Sequence, residues 1–156
     1  MTHFGRRQAV GAVALEFMLL FPFVVAMLYA AAAYGIVFFS QYQLQSVADR
    51  AVSTALYVDR SAYAATELQG KVKERAEAAI TELFKGEADA LKTASVNCEV
   101  VDLSDEVEGV SRLELLRCTL KYDYKSNPIV PVMSFGMLGT FPPMPDELTA
   151  EASAAF

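Results

Sequence analysis

The chain has 156 residues, enough for one domain, and its 54% hydrophobic fraction is high for a soluble protein of that size. A formal charge of −6 argues against nucleic acid, which needs a clustered basic face, and against an exported domain lying flat on anionic lipid. The single histidine is His3, so no positioned base accompanies a nucleophile elsewhere, and neither an enzyme, a small-molecule substrate, a metal nor another cofactor is expected.

The hydrophobic excess is local. Arg6 and Arg7 open a short basic leader, and from Phe17 to Phe39 no side chain is charged. These 23 residues make a helix of about 34 Å, enough to cross a hydrocarbon core of about 30 Å. Pro22 and Gly35 lie inside it, and membrane helices tolerate both. Positive charge precedes the run, while Gln41, Gln43, Gln45 and the mixed pair Asp49–Arg50 follow it. The amino end is therefore expected in the cytoplasm and residues 40 to 156 on the far side. Ala31–Ala33 offers small residues for a signal peptidase, but the apolar run before it is too long for that reading. Two arginines alone are weak grounds for a twin-arginine signal. Glu16 sits at the mouth of the run. It is either an interfacial carboxylate near a helix N-terminus or an intramembrane acid that needs a partner.

At Gly11 the sequence reads G-AVALEF. This resembles the processing site of type IV pilins and pseudopilins, where a prepilin peptidase cuts after Gly and the mature chain carries Glu at its fifth position. Gly11, Ala12, Glu16 and Phe17 match that pattern. With the basic leader, Pro22, Gly35, Gln41–Gln45 and the alanines of Ala48–Ala55, the first third resembles the TadE-like family of tight-adherence (Flp, type IVb) pilus systems. The rest of the chain resembles it only in layout. The resemblance implies a minor pseudopilin, TadE- or TadF-type, in the bacterial inner membrane with its carboxyl-terminal domain in the periplasm. It implies cleavage between Gly11 and Ala12, and prepilin peptidase, other pilins and the inner-membrane platform as partners. It also implies an assembly role for Glu16 against the terminal amine of a neighbouring subunit. The alternative is an anchored periplasmic accessory protein that never enters a filament.

Beyond the apolar run, Leu44, Val47, Ala48, Ala51, Ala55 and Leu56 recur at three- and four-residue spacing, which extends the helix to about Asp59. A second amphipathic helix is predicted from Leu68, Val72, Ala76, Ala79, Ile80, Leu83 and Phe84, with Thr66 and Gln69 as a capping box and a stop near residue 85.

The period then changes to two. Leu116, Cys118, Leu120, Tyr122 and Tyr124 alternate with polar residues, and Val96, Cys98 and Val100 do so more weakly. Leu113 and Leu115 break the parity, so a bulge or strand break is predicted there. If Cys98 faces Cys118 in an antiparallel hairpin, the turn centres on Glu108 within Glu106–Gly109, where a glycine suits a short loop. A disulfide then follows in an oxidising compartment; two buried thiols are the alternative. Acidic neighbours such as Asp105–Glu106 read as solvated turn charges.

Residues 128 to 145 are Pro-rich and predict loop. From Leu148 to Phe156 the sequence permits either a helix opened by Pro145 or a strand, and the family resemblance favours the strand. The expected architecture is α+β: a leader over 1–11, a long helix over 12–60 with its transmembrane part at 17–39, and a periplasmic domain over 61–156 with a second helix and a small antiparallel sheet.

Overall fold

The structure is a computed structural model that describes residues 8–86, 89–102, 114–134 and 136–156. Arg6–Arg7, the turn at Glu106–Gly109, Asp105 and Leu113 lie outside the described residues. The fold is α+β: a long apolar helix, a second helix and a small antiparallel sheet. Helix α1 spans Gln8–Ala55, α2 Ala65–Phe84, and the strands are β1 Ser95–Asp102, β2 Glu114–Asp123, β3 Met133–Ser134, β4 Thr140–Phe141 and β5 Glu147–Ala155. By its internal contacts the chain divides into two units, one of residues up to Ile36 with Val132–Met144, the other of Val37–Pro131 with Pro145–Phe156.

In the first unit α1 runs through Pro22 without interruption. Within the Pro-rich stretch, read from the sequence as loop, β3 and β4 form a two-residue antiparallel pair, Met133 opposite Phe141 and Ser134 opposite Thr140. Gly136 and Gly139 make the connection with φ of 60° and 86°. Side-chain-bearing residues rarely adopt these values, so glycine suits both positions. The Tyr34 hydroxyl donates to the Pro143 carbonyl at 2.9 Å.

In the second unit the apolar stripe of α1 is buried: Leu44, Val47, Ala48, Ala51, Val52 and Ala55. The helix ends at Ala55, four residues short of Asp59, for local reasons. Ser53 and Thr54 donate their hydroxyls back to the Asp49 and Arg50 carbonyls, each at 2.7 Å, a habit that loosens helices. The amides of Tyr57 and Val58 then bond three residues back, to the Thr54 and Ala55 carbonyls. Asp59 instead caps the short turn Arg60–Ala62, accepting from Ser61 Oγ at 2.6 Å and Ser61 N at 2.9 Å. Those bonds, the side-chain one foremost, hold its carboxyl below the ordinary value.

Helix α2 buries Val72, Ala76, Ile80 and Phe84. Its N-cap is Ala64, whose carbonyl accepts from Glu67 and Leu68, and no side chain caps it. The capping box is thus corrected: the helix starts two residues too early for Thr66 to cap it, and Gln69 donates to Glu114 Oε1 at 3.0 Å instead.

The three long strands order as β1-β2-β5, all neighbours antiparallel. Cys98 pairs with Cys118, as the hairpin reading required, and the ladder runs unbroken from Ser95 opposite Lys121 to Asp102 opposite Glu114. No break therefore occurs at Leu115, which faces Val101 in register. One face of the sheet holds Cys98, Leu116, Cys118, Leu120, Tyr122, Leu148, Ala150 and Ala152, all buried. Asn97, Glu99, Lys121 and Glu151 lie on the other face, exposed. Tyr122 donates its hydroxyl to the Asn127 carbonyl, and Val130 N donates to Tyr124 Oη at 3.2 Å, so two phenols tie down the chain that leaves β2. Burial pushes the Tyr122 phenol above its ordinary value.

Cys98 and Cys118 are joined in a disulfide across the β1–β2 pair, with both side chains fully buried. The bridge closes a loop spanning 20 residues of sequence, so the chain-entropy contribution is about 3 kcal/mol. Replacing either cysteine by serine is expected to lower the stability of the sheet unit by about 2–5 kcal/mol, read from denaturant unfolding. An unchanged unfolding midpoint would show that the bridge contributes nothing.

Candidate membrane-anchoring and processing site

Apart from Glu16, the amino-terminal part of α1 is apolar on every side. From Val13 to Val25 all side chains are exposed, among them Phe17, Met18, Leu19 and Phe23 at 63% or more. A helix with no polar face and no protein covering it suits a bilayer rather than water. α1 is long and apolar enough to cross a membrane, with a mean hydropathy of 2.2 in its most apolar stretch, and it is a candidate anchor.

The motif residues fall on consecutive turns of this helix. Gly11 and Ala12 lie on helical backbone near its start, their side chains outside the described set. Glu16 is exposed and is the only charged residue between Val13 and Phe39. It lies about 7.5 Å along the axis from Gly11, at 1.5 Å per residue. Phe17 stacks on Phe21 with ring centroids 5.6 Å apart, an i,i+4 aromatic pair on one face. The structure thus brings Gly11, Ala12, Glu16 and Phe17 together within two turns.

The glutamines after the apolar run have a role that composition alone does not reveal. Among the described residues β5 is an edge strand whose only strand neighbour is β2. Gln41 Nε2 donates to the Thr149 carbonyl, and Gln45 Nε2 donates to the Glu151 carbonyl at 2.9 Å. The spacings match: four residues of helix rise about 6 Å, and two residues of strand advance about 6.8 Å. Two amides one helical turn apart therefore meet two carbonyls on the same side of β5. Gln45 also reaches Asp49 Oδ1 at 3.2 Å. The i,i+4 spacing of Gln41 and Gln45 was the available signal in the sequence, but nothing there named the strand as their target.

Among the described residues no group of three or more His, Cys, Asp or Glu is placed to hold a metal ion. A polar cleft lined by Thr93, Ser95, Lys121, Asp123, Lys125, Asp146 and Glu147 lies at one end of the sheet. Three of its charges have near neighbours: Lys125 lies 3.7 Å from Asp146, and Asp123 accepts from Ser126 N and Oγ at 3.0 and 2.6 Å. The Ser126 bonds, side chain first, lower the Asp123 carboxyl.

Residues 11–53 match the family model described as TadE-like protein, so this amino-terminal segment is similar to that family. The matched stretch contains the motif residues, the apolar run and both edge-binding glutamines. No curated protein and no solved structure matches the chain significantly.

Replacing Gln41 and Gln45 together by alanine is expected to destabilise the sheet unit by about 1–3 kcal/mol, because two hydrogen bonds to the edge of β5 are lost. The measurement is urea unfolding followed by circular dichroism. A loss below a few tenths of a kcal/mol would mean that water serves the edge equally well.

Proposed function

We propose that this chain is a minor pseudopilin of a tight-adherence (Flp, type IVb) pilus, processed by a prepilin peptidase and taking part in pilus biogenesis or priming. The observation that carries the reading is the G-AVALEF motif on the first turns of an apolar helix, inside the segment that is similar to the TadE-like family. The similarity of residues 11–53 to TadE-like proteins supports a pilus-associated structural role rather than an enzymatic one. In this reading α1 crosses the inner membrane with its amino end in the cytoplasm, and the sheet unit lies in the periplasm. The partners are the peptidase, other pilins and the membrane platform.

The chemistry assigns roles to four residues. Gly11 offers the peptidase a scissile bond with no side chain on its amino side. Cleavage there leaves Ala12 with a free amine, positive near neutral pH. It also removes Arg6 and Arg7, taking the formal side-chain charge from −6 to −8. Glu16 then becomes the fifth residue of the mature chain, with Phe17 behind it. A lone subunit keeps this carboxylate near the headgroups at little cost. In a bundle of packed helices it sits deeper, where an unpaired charge costs about 3 kcal/mol or more. The amine on a neighbouring Ala12 offsets much of that cost.

Mass spectrometry of the protein purified from its native membrane is expected to give an amino terminus at Ala12. A terminus at Met1 or at Tyr34 would refute processing by this route.

The second expectation concerns assembly. Glu16→Gln removes the charge and keeps the shape, so insertion and cleavage after Gly11 should stay near the wild-type level. Crosslinking to the system's other pilins should fall. If the variant is cleaved and co-assembles as the wild type does, Glu16 is an interfacial carboxylate and nothing more.

A further inference from the structure

The loop of the first unit, Val132–Met144, lies in a stretch that anchoring by a single helix leaves unexplained. From Ser126 to Pro145 the sequence has no charged residue, in a chain where charged residues make up 21%. Within this stretch Val132, Met133 and Met137 are exposed, Met137 completely. Three exposed apolar side chains within six residues of an uncharged loop are more than chance scatter on a water-facing surface and point to a contact surface.

The loop's position says what that surface meets. Val132–Met144 belongs to the same unit as the apolar part of α1. It is joined there by the bond from Tyr34 Oη to the Pro143 carbonyl. Tyr34 precedes the end of the uncharged run at Phe39 by five residues, about 7.5 Å along the helix axis. The loop therefore lies beside the helix at the level of the run's far end. Tyrosine is favoured at such depths because its ring is apolar and its hydroxyl seeks a polar partner.

Its backbone is also prepared for a poorly hydrated setting. Pro142 and Pro143 lie in the loop and carry no N–H donor. The β3–β4 pair, the bond from Gly139 N to the Gly136 carbonyl at 3.1 Å and the Tyr34 bond satisfy others internally. Backbone that enters lipid must be satisfied in this way.

We propose that the Val132–Met144 loop is seated in the non-cytoplasmic leaflet beside α1, with Met133 and Met137 among the lipids as a second, shallow anchor. This rests on the reading of α1 as a membrane span. The contact is apolar and needs no anionic lipid, in keeping with the acidic charge of the chain.

The chain has no tryptophan, so one substitution gives a unique fluorophore. Three full-length variants, each reconstituted in phosphatidylcholine vesicles, make the test: Met137→Trp in the loop, Leu20→Trp in the apolar helix, and Tyr57→Trp on the sheet unit. All three positions are exposed, so the folded protein accommodates the new ring. The proposal expects Met137→Trp to emit to the blue of Tyr57→Trp, to lose most of its emission with lipids brominated near the headgroup end of the acyl chain, and to resist aqueous iodide. Quenching of Met137→Trp by iodide alone, with Leu20→Trp quenched by brominated lipid, would overturn the loop proposal and leave the span intact. Protection of Met137→Trp from both quenchers would also overturn it, because protein, such as a second copy, would then cover the loop. Failure of brominated lipid to quench Leu20→Trp would remove the span reading itself, and the loop proposal with it.

Discussion

A single continuous helix carries two different kinds of surface, and that constrains the rest of the structure. Between Val13 and Phe39 α1 carries one charge, Glu16. The helix satisfies its own backbone, so its side chains need nothing from water, which is what a bilayer demands. From Leu44 the same helix changes character without a break. Leu44, Val47, Ala48 and Ala51 turn to one buried face, and Gln45 and Asp49 lie among the residues beside it. The glutamines mark the change. They are polar enough to follow an apolar run and uncharged, so they can approach a strand without a desolvated charge.

Much of the fold was legible because its signals are local and periodic. The stripe at Leu44–Ala55 and the stripe at Val72–Phe84 each predict a buried helical face, and both are buried. The β1–β2 register followed from two cysteines, since opposing Cys98 to Cys118 fixes every other pair in the ladder. What the sequence left open was decided by tertiary contacts. Residues 148 to 154 alternate Leu and Ala with polar residues, and alanine is at home in helix or strand. The segment becomes β5 because Leu148, Ala150 and Ala152 align opposite Tyr122, Leu120 and Cys118 on the buried face. The misplaced helix ends have equally local causes. The hydroxyls of Ser53 and Thr54 and the carboxylate of Asp59 compete with helical bonding, and Ala64 leaves no capping signal to read.

The functional segment divides in the same way. Gly11, Ala12, Glu16 and Phe17, the residues of the proposed site, form a motif of linear spacing, and a helix preserves that spacing. Gln41 and Gln45 were legible as composition but not as contacts, because their acceptors lie 108 and 106 residues away. The bond from Tyr34 to Pro143 is separated by 109 residues and gave no sign in the sequence. Long-range pairings of single side chains leave no periodic trace.

The choice of glutamine at the edge of β5 has a physical explanation. The outer side of an edge strand presents unpaired carbonyls that invite another strand. A covering residue must donate, which excludes glutamate. It must not bring a charge that packing would desolvate, which disfavours lysine. It must also reach from a helix backbone to a strand backbone, and asparagine is one methylene shorter. Glutamine meets all three conditions, and a pair at i,i+4 meets them at two successive outward carbonyls. The edge of the sheet is thus closed by the helix that carries the apolar run, so the sheet unit depends on α1 for side-chain hydrogen bonds as well as for apolar cover. Any force that displaced the helix from the sheet would break the bonds at Thr149 and Glu151 together and open an edge able to accept a strand.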